Sequence, residues 1–135
     1  KAVSANIEDI VKELDIPVIV KEVGFGISKN VAQRLCKIGV EYIDVAGYGG
    51  TNFIEIENLR HHSIDLNEFY DWGIPTALSL IECRSVSNDL YLIASGGVRN
   101  SMDIVKSIIL GASITGISGE LLAYLQDKSN NVTFR

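Results

Sequence analysis

The chain is poor in the residues that mark several large classes of protein. It has 2 cysteines, 2 prolines, 1 methionine and 1 tryptophan in 135 residues. Cys36 and Cys83 stand far apart, without metal-ligand spacing, each inside an apolar helical pattern. They read as two small buried thiols of a reducing, cytoplasmic setting, not as a disulfide framework. No apolar run reaches the roughly 20 residues that span a bilayer. An acidic stretch, not an apolar one, follows Lys1-Ala2-Val3-Ser4, so this stretch is not expected to be a signal peptide. Basic residues are in the minority, 12 Lys and Arg against 17 Asp and Glu, for a formal net charge of -5. Nucleic-acid binding, which calls for a clustered basic face, is not expected. The first residue is not methionine, which suggests a piece of a longer chain.

Hydrophobic residues are 47% and charged residues 21%, the balance of a globular protein. The length is that of one domain at most. Glycine is plentiful, 12 residues in clusters, and clustered glycine marks backbone that approaches something closely or takes positive φ.

Hydrophobic periodicity divides the chain into alternating elements. A helix is predicted over 6–14, with Asn6 as its cap and Ile7, Ile10, Val11 and Leu14 on one face. Pro17 to Lys21 is an unbroken apolar run ending in a lysine, as in a strand buried on both faces. Ser28 caps a second helix with a Val31, Leu35, Ile38 stripe, closed by Gly39. Tyr42–Val45 is a strand, 47–53 a glycine-rich loop, 65–71 a polar excursion, and 74–84 a helix with Pro75 in its first turn. Strands at 92–95 and 113–117 alternate with helices at 101–110 and from 121 onward.

Short apolar strands alternating with helices mean parallel βαβ units. Every strand ends in a residue or loop of chemical character: Lys21, Gly47 to Thr51, Gly96-Gly97, Ser118-Gly119. Chemistry at the C-terminal end of each successive strand is the mark of a barrel, whereas an open sheet concentrates it at one switch point. The fold expected is α/β, about four C-terminal βα units of a (β/α)8 TIM barrel, with residues 1–135 forming half of one domain of about 250 residues.

Two neighbouring strand ends carry a phosphate signal. Ser95-Gly96-Gly97-Val98-Arg99 follows one strand and Gly116-Ile117-Ser118-Gly119 the next, each opening a helix. Bare glycines there let backbone N–H groups and helix N-termini face a phosphate. Lys21 at a barrel mouth is costly to bury unless it meets an anion. Thr51 offers a hydroxyl, although its loop could equally be a plain turn. Asp44, inside a strand, reads as a satisfied buried carboxylate, Trp72 as packing, and His61 and His62 as loop residues without metal spacing; no metal site is expected in this chain.

Four blocks, Lys21-Glu22-Val23-Gly24-Phe25-Gly26, Gly49-Gly50-Thr51-Asn52-Phe53, Asp71-Trp72-Gly73-Ile74-Pro75-Thr76 and Ala94-Ser95-Gly96-Gly97-Val98-Arg99, resemble the type 2 isopentenyl diphosphate isomerases. The Gly-Gly-Val-Arg block is shared with other FMN barrels, the α-hydroxy acid oxidases among them. The first and third blocks point to the isomerases. The resemblance implies a flavoenzyme without net redox turnover, which interconverts isopentenyl and dimethylallyl diphosphate in isoprenoid biosynthesis. FMN would be reduced by NADPH and itself serve as acid and base, and Mg2+ would hold the substrate diphosphate.

By the same resemblance Lys21 lies near the pyrimidine edge of the flavin, Thr51 binds the flavin, and Gly96, Gly97, Ser118 and Gly119 form the phosphate cradle with Arg99 nearby. It also implies a homo-oligomer, a tetramer or larger. Residues for Mg2+ and substrate belong to the N-terminal half of the family's barrel, so no catalytic side chain is expected in this chain, and this stretch alone is expected to be inactive. Ala46 stands where family members often carry Ser, which removes one hydroxyl contact to the cofactor. Two other readings stay open: an FMN oxidoreductase of the α-hydroxy acid oxidase type, and a non-catalytic half-barrel that binds a phosphorylated ligand.

Overall fold

A computed structural model describes residues 2–61 and 65–126. Among these residues four strands, β1 (Ile19–Lys21), β2 (Tyr42–Asp44), β3 (Tyr91–Ala94) and β4 (Ile114–Thr115), form one sheet in the order β1-β2-β3-β4. Each pairs parallel with the next. Sequential order without a reversal is the topology of consecutive βα units of a barrel, and it brings every strand's C-terminal end to the same side. The expectation of a half barrel is met.

Among the described residues six α-helices accompany the strands: α1 (Val3–Glu13), α2 (Lys29–Lys37), α3 (Phe53–Arg60), α4 (Thr76–Arg84), α5 (Ser101–Ile109) and α6 (Gly119–Gln126). Ser28 caps α2 as expected, accepting from the Val31 N–H at 3.4 Å, and Asn100 caps α5 through the Asp103 N–H at 3.0 Å. Pro75 sits just ahead of α4, where its missing N–H costs nothing. Among the described residues, no helix is long and apolar enough to cross a membrane.

Three expectations need correction. The first helix starts at Val3, not at Asn6, and Ala2 precedes it without a side-chain cap. Backbone bonds from Ala5 N–H and Asn6 N–H to the Ala2 carbonyl start the ladder without help from Asn6. The second correction is α3, absent from the sequence reading because it presents no buried stripe. It is made by its cap: Asn52 Oδ1 accepts from the N–H groups of Ile54 and Glu55 at 3.0 and 3.2 Å. The third is β1, whose Ile19 is 52% exposed and whose Lys21 side chain is half exposed. An edge strand has one neighbour, and its inner face here lacks the opposing wall of a closed barrel.

The two faces of the sheet differ accordingly. Ile43, Leu92 and Ala94 point toward the helices and are fully buried, with Leu80 and Cys83 of α4 and Ala32 of α2 in the same core. Burying a side chain the size of Ile or Leu stabilises by roughly 1.5–3 kcal/mol. The other face carries Ile19, Tyr42, Tyr91 and Ile114, with Tyr42 and Tyr91 stacked at 4.9 Å between ring centroids. Val31 lies at the rim of the core, its place inside taken by Ala32. Trp72 is largely exposed and leans on Phe69 at the end of the polar excursion, where a 3-10 turn spans Asn67–Phe69.

Candidate functional site

The C-terminal ends of the strands open onto a cleft of about 690 Å³, within the usual range of small-molecule sites. All seven residues singled out in the sequence line it: Lys21, Thr51, Gly96, Gly97, Arg99, Ser118 and Gly119. They come from the ends of four strands, which the parallel sheet brings together.

Lys21 does not stand alone at the end of β1. Its Nζ donates to Asp44 Oδ2 at 2.6 Å and to Ser95 Oγ at 3.0 Å. Ser95 Oγ in turn donates to Asp44 Oδ1 at 2.7 Å, and the Ala46 N–H donates to the same oxygen at 3.1 Å. Asp44 is thus satisfied, as the sequence suggested, but it is also part of the cleft wall. Lys21 and Asp44 are register partners, so strand pairing alone aligns the charge pair.

The glycine loops after β2 and β3 lie against each other. Gly96 takes φ 91°, and a Cβ there would strike the Gly47 backbone. A Cβ on Gly97 would fall 2.6 Å from the Gly49 carbonyl oxygen. Close backbone packing is therefore the first use of these glycines, and the cleft lies where the two loops end. Thr76 secures the arrangement from α4, its Oγ1 within 2.5 Å of the Gly96 carbonyl oxygen and 3.2 Å of that of Ser95. Arg99 Nη2 donates across to the Gly49 carbonyl at 2.9 Å.

After β4 the packing is looser. A Cβ on Gly119 would meet nothing within 4 Å, so the N-terminus of α6 faces open space beside Ser118. Phe53, Val98 and Ile117 add apolar wall. A fixed cation, an open helix N-terminus and apolar sides suit a ligand that joins an anionic group to a less polar part. Ala46 lines the same cleft with φ 33°, a conformation uncommon for alanine, and its carbonyl accepts from the Gly24 and Gly26 N–H groups at 3.0 and 3.3 Å.

The third sequence block acts at one remove. Tyr48 N–H donates to the Ile74 carbonyl at 2.9 Å, Ile74 N–H to the Phe25 carbonyl at 2.7 Å, and Tyr48 Oη to Asp71 Oδ1 at 3.0 Å. The segment 71–76 straps the loop after β1 to the loop after β2. The Asp71 hydrogen bond and charge raise the Tyr48 hydroxyl above its ordinary range.

A family model described as FMN-dependent dehydrogenase matches residues 2–128. The chain belongs to that family. Among curated relatives, the isopentenyl-diphosphate delta-isomerase of Geobacillus sp. (strain WCH70) is 53% identical over 123 residues, 91% of this chain and 35% of the relative. The enzyme of the same name from Bacillus licheniformis is 53% identical over 121 residues, 89% of this chain and 34% of the relative. The chain thus spans about a third of the length of these relatives. Inosine 5' monophosphate dehydrogenase from Legionella pneumophila shares the fold, with a TM-score of 0.63 at 23% identity, over 88% of this chain and 32% of that one.

His61 is exposed, 3.4 Å from Glu57 at the end of α3, and Arg60 pairs with the same carboxylate at 2.9 Å. Neither lines the cleft, and His62 lies outside the described residues. Among the described residues, no cluster of three or more His, Cys, Asp or Glu could hold a metal ion. The sequence reading left out Asp44 and Ser95, which line the cleft, and Thr76, which holds the Gly96 carbonyl behind it. Ser95 was visible in its block; Thr76 acts from another helix, and no local signal joins it to Gly96.

Proposed function

We propose that this chain supplies the flavin-binding face of an FMN-dependent isopentenyl diphosphate isomerase. The observation that carries the proposal is the convergence of the seven residues on one cleft, lined at once by the Lys21 ammonium and the open N-terminus of α6. The relatives' shared name, at 53% identity, supplies the reaction.

In this reading Ser118, Gly119 and the α6 N-terminus hold the FMN phosphate, where backbone N–H groups and the helix dipole favour an anion. Gly96 and Gly97, packed against the loop after β2, keep side chains out of the phosphate's path, with Arg99 adding positive charge alongside. Thr51 contacts the flavin from the neighbouring loop. Lys21 places a positive charge at the ring's pyrimidine edge, where reduced flavin carries its negative charge. Bound and reduced, FMN supplies the proton donor and acceptor for moving the substrate's double bond. Mg2+, NADPH and the substrate diphosphate are met by the remainder of the full-length enzyme, which we place in the cytoplasm as a homo-oligomer.

The test is made on the full-length protein. It should release FMN on denaturation and, with NADPH and Mg2+, convert isopentenyl to dimethylallyl diphosphate with no net consumption of NADPH. Oxidation of an α-hydroxy acid instead would establish the oxidase reading. Binding of inorganic phosphate without flavin would establish a non-catalytic module.

A further inference from the structure

Three strand ends meet at Asp44. It closes β2, pairs in register with Lys21 of β1, and bonds to Ser95 just beyond β3. Its side chain is only 10% exposed, whereas that of Lys21 is 52% exposed. A carboxylate so placed must be satisfied by the protein, and it is: Lys21, Ser95 and the Ala46 N–H all donate to it.

A lysine ammonium has three donors and no acceptor. Asp44 takes one at 2.6 Å and Ser95 a second at 3.0 Å. Both partners stand on the sheet's rigid ends, so the direction of the third N–H is fixed by the first two. Without Asp44, a half-exposed lysine at an edge strand would be free to swing toward solvent.

We infer that Asp44 is a positioning residue for Lys21, holding its ammonium so that one N–H faces the cleft. The inference rests on the flavin reading of that cleft. Asp44 acts through Lys21, since its own oxygens are engaged within the protein.

The experiment compares four full-length proteins: the parent, Asp44→Asn, Lys21→Met and the double variant. Two quantities are read, the two-electron midpoint potential of bound FMN and the thermal midpoint of the flavin-free protein. Lys21→Met should lower the potential, because a fixed cation favours the anionic reduced ring. Asp44→Asn, which keeps an acceptor for Ser95, should lower it in the same direction when Lys21 is present. It should leave it unmoved in the Lys21→Met background. Removal of a negative charge alone would raise the potential in both backgrounds, and that result overturns the inference, as does an equal shift in both or none in either. Should none of the four bind FMN, the flavin reading fails and the flavin-free midpoints decide. Coupling of positions 21 and 44 sustains the positioning role, and additive effects overturn it.

Discussion

Thr76 Oγ1 lies 2.5 Å from the Gly96 carbonyl oxygen, joining the first residue of α4 to the loop that follows β3. The hydroxyl also lies 3.2 Å from the Ser95 carbonyl, so one proton is shared between two successive peptide groups. Thr76 does not line the cleft; it sets the path of the residues that do.

Thr76→Val in the full-length protein should therefore weaken FMN binding by about 1 kcal/mol, roughly fivefold in Kd, the usual net worth of a neutral hydrogen bond. Thr76→Ser, which retains the hydroxyl, should bind FMN as the parent does. Fluorescence titration with FMN distinguishes the two. Equal loss in both variants would show that the methyl group, not the hydroxyl, matters.

Gly97→Ala tests the contact between the two glycine loops. The residue has φ 74°, and an added Cβ would lie 2.6 Å from the Gly49 carbonyl oxygen. The left-handed backbone alone costs an alanine roughly 1–2 kcal/mol. Thermal unfolding should show at least that loss, and the purified variant should carry less flavin. An unchanged midpoint would mean that the loops separate without cost.

Leu92→Ala addresses the core. Leu92 is fully buried at the centre of β3, against helix residues that close over it. The substitution should destabilise by roughly 2–5 kcal/mol, the range for removing a buried leucine side chain. Denaturant unfolding measures it. A loss below about 1 kcal/mol would mean that the core collapses readily around the missing atoms.

Cys83 predicts an alkaline limb of stability. Burial raises its thiol from 9.0 to about 11. Because the folded value lies above the unfolded one, the thiol's contribution is complete below pH 9 and is lost as pH rises toward 11. The parent should lose thermal stability across that interval, and Cys83→Ser should lose less. Identical limbs in both proteins would place the buried thiolate elsewhere.

What the sequence disclosed depended on whether the signal was local. The strands from Tyr42, Tyr91 and Ile114 were legible because buried parallel strands are short apolar runs with glycine or polar punctuation. Lys21 and the 96–99 and 116–119 segments were legible because a strand end followed by a helix start is itself a local pattern. Long-range relations were not. Asp44 could be read as satisfied but not paired with Lys21, because that pairing depends on sheet register. Thr76 could be recognised within its block but not linked to Gly96. Helix α3 was lost because Ile54, Ile56 and Leu59 form no coherent apolar face, and the Asn52 cap that starts it followed a glycine run that read as loop.

The strand register also bears on the order of assembly. Tyr42 and Tyr91 are about twice as far apart in sequence as Ile19 and Tyr42, or Ile93 and Ile114. Each doubling of a closed loop adds only about 0.6 kcal/mol of entropy, but contacts distant in sequence slow the search for the native pairing. The chain thus contains two short-range βαβ units, β1–α2–β2 and β3–α5–β4, whose joining is the slower event. Because the Lys21–Asp44 pair lies within the first unit and Gly96 and Gly97 within the second, the cleft comes into being only when the two units meet.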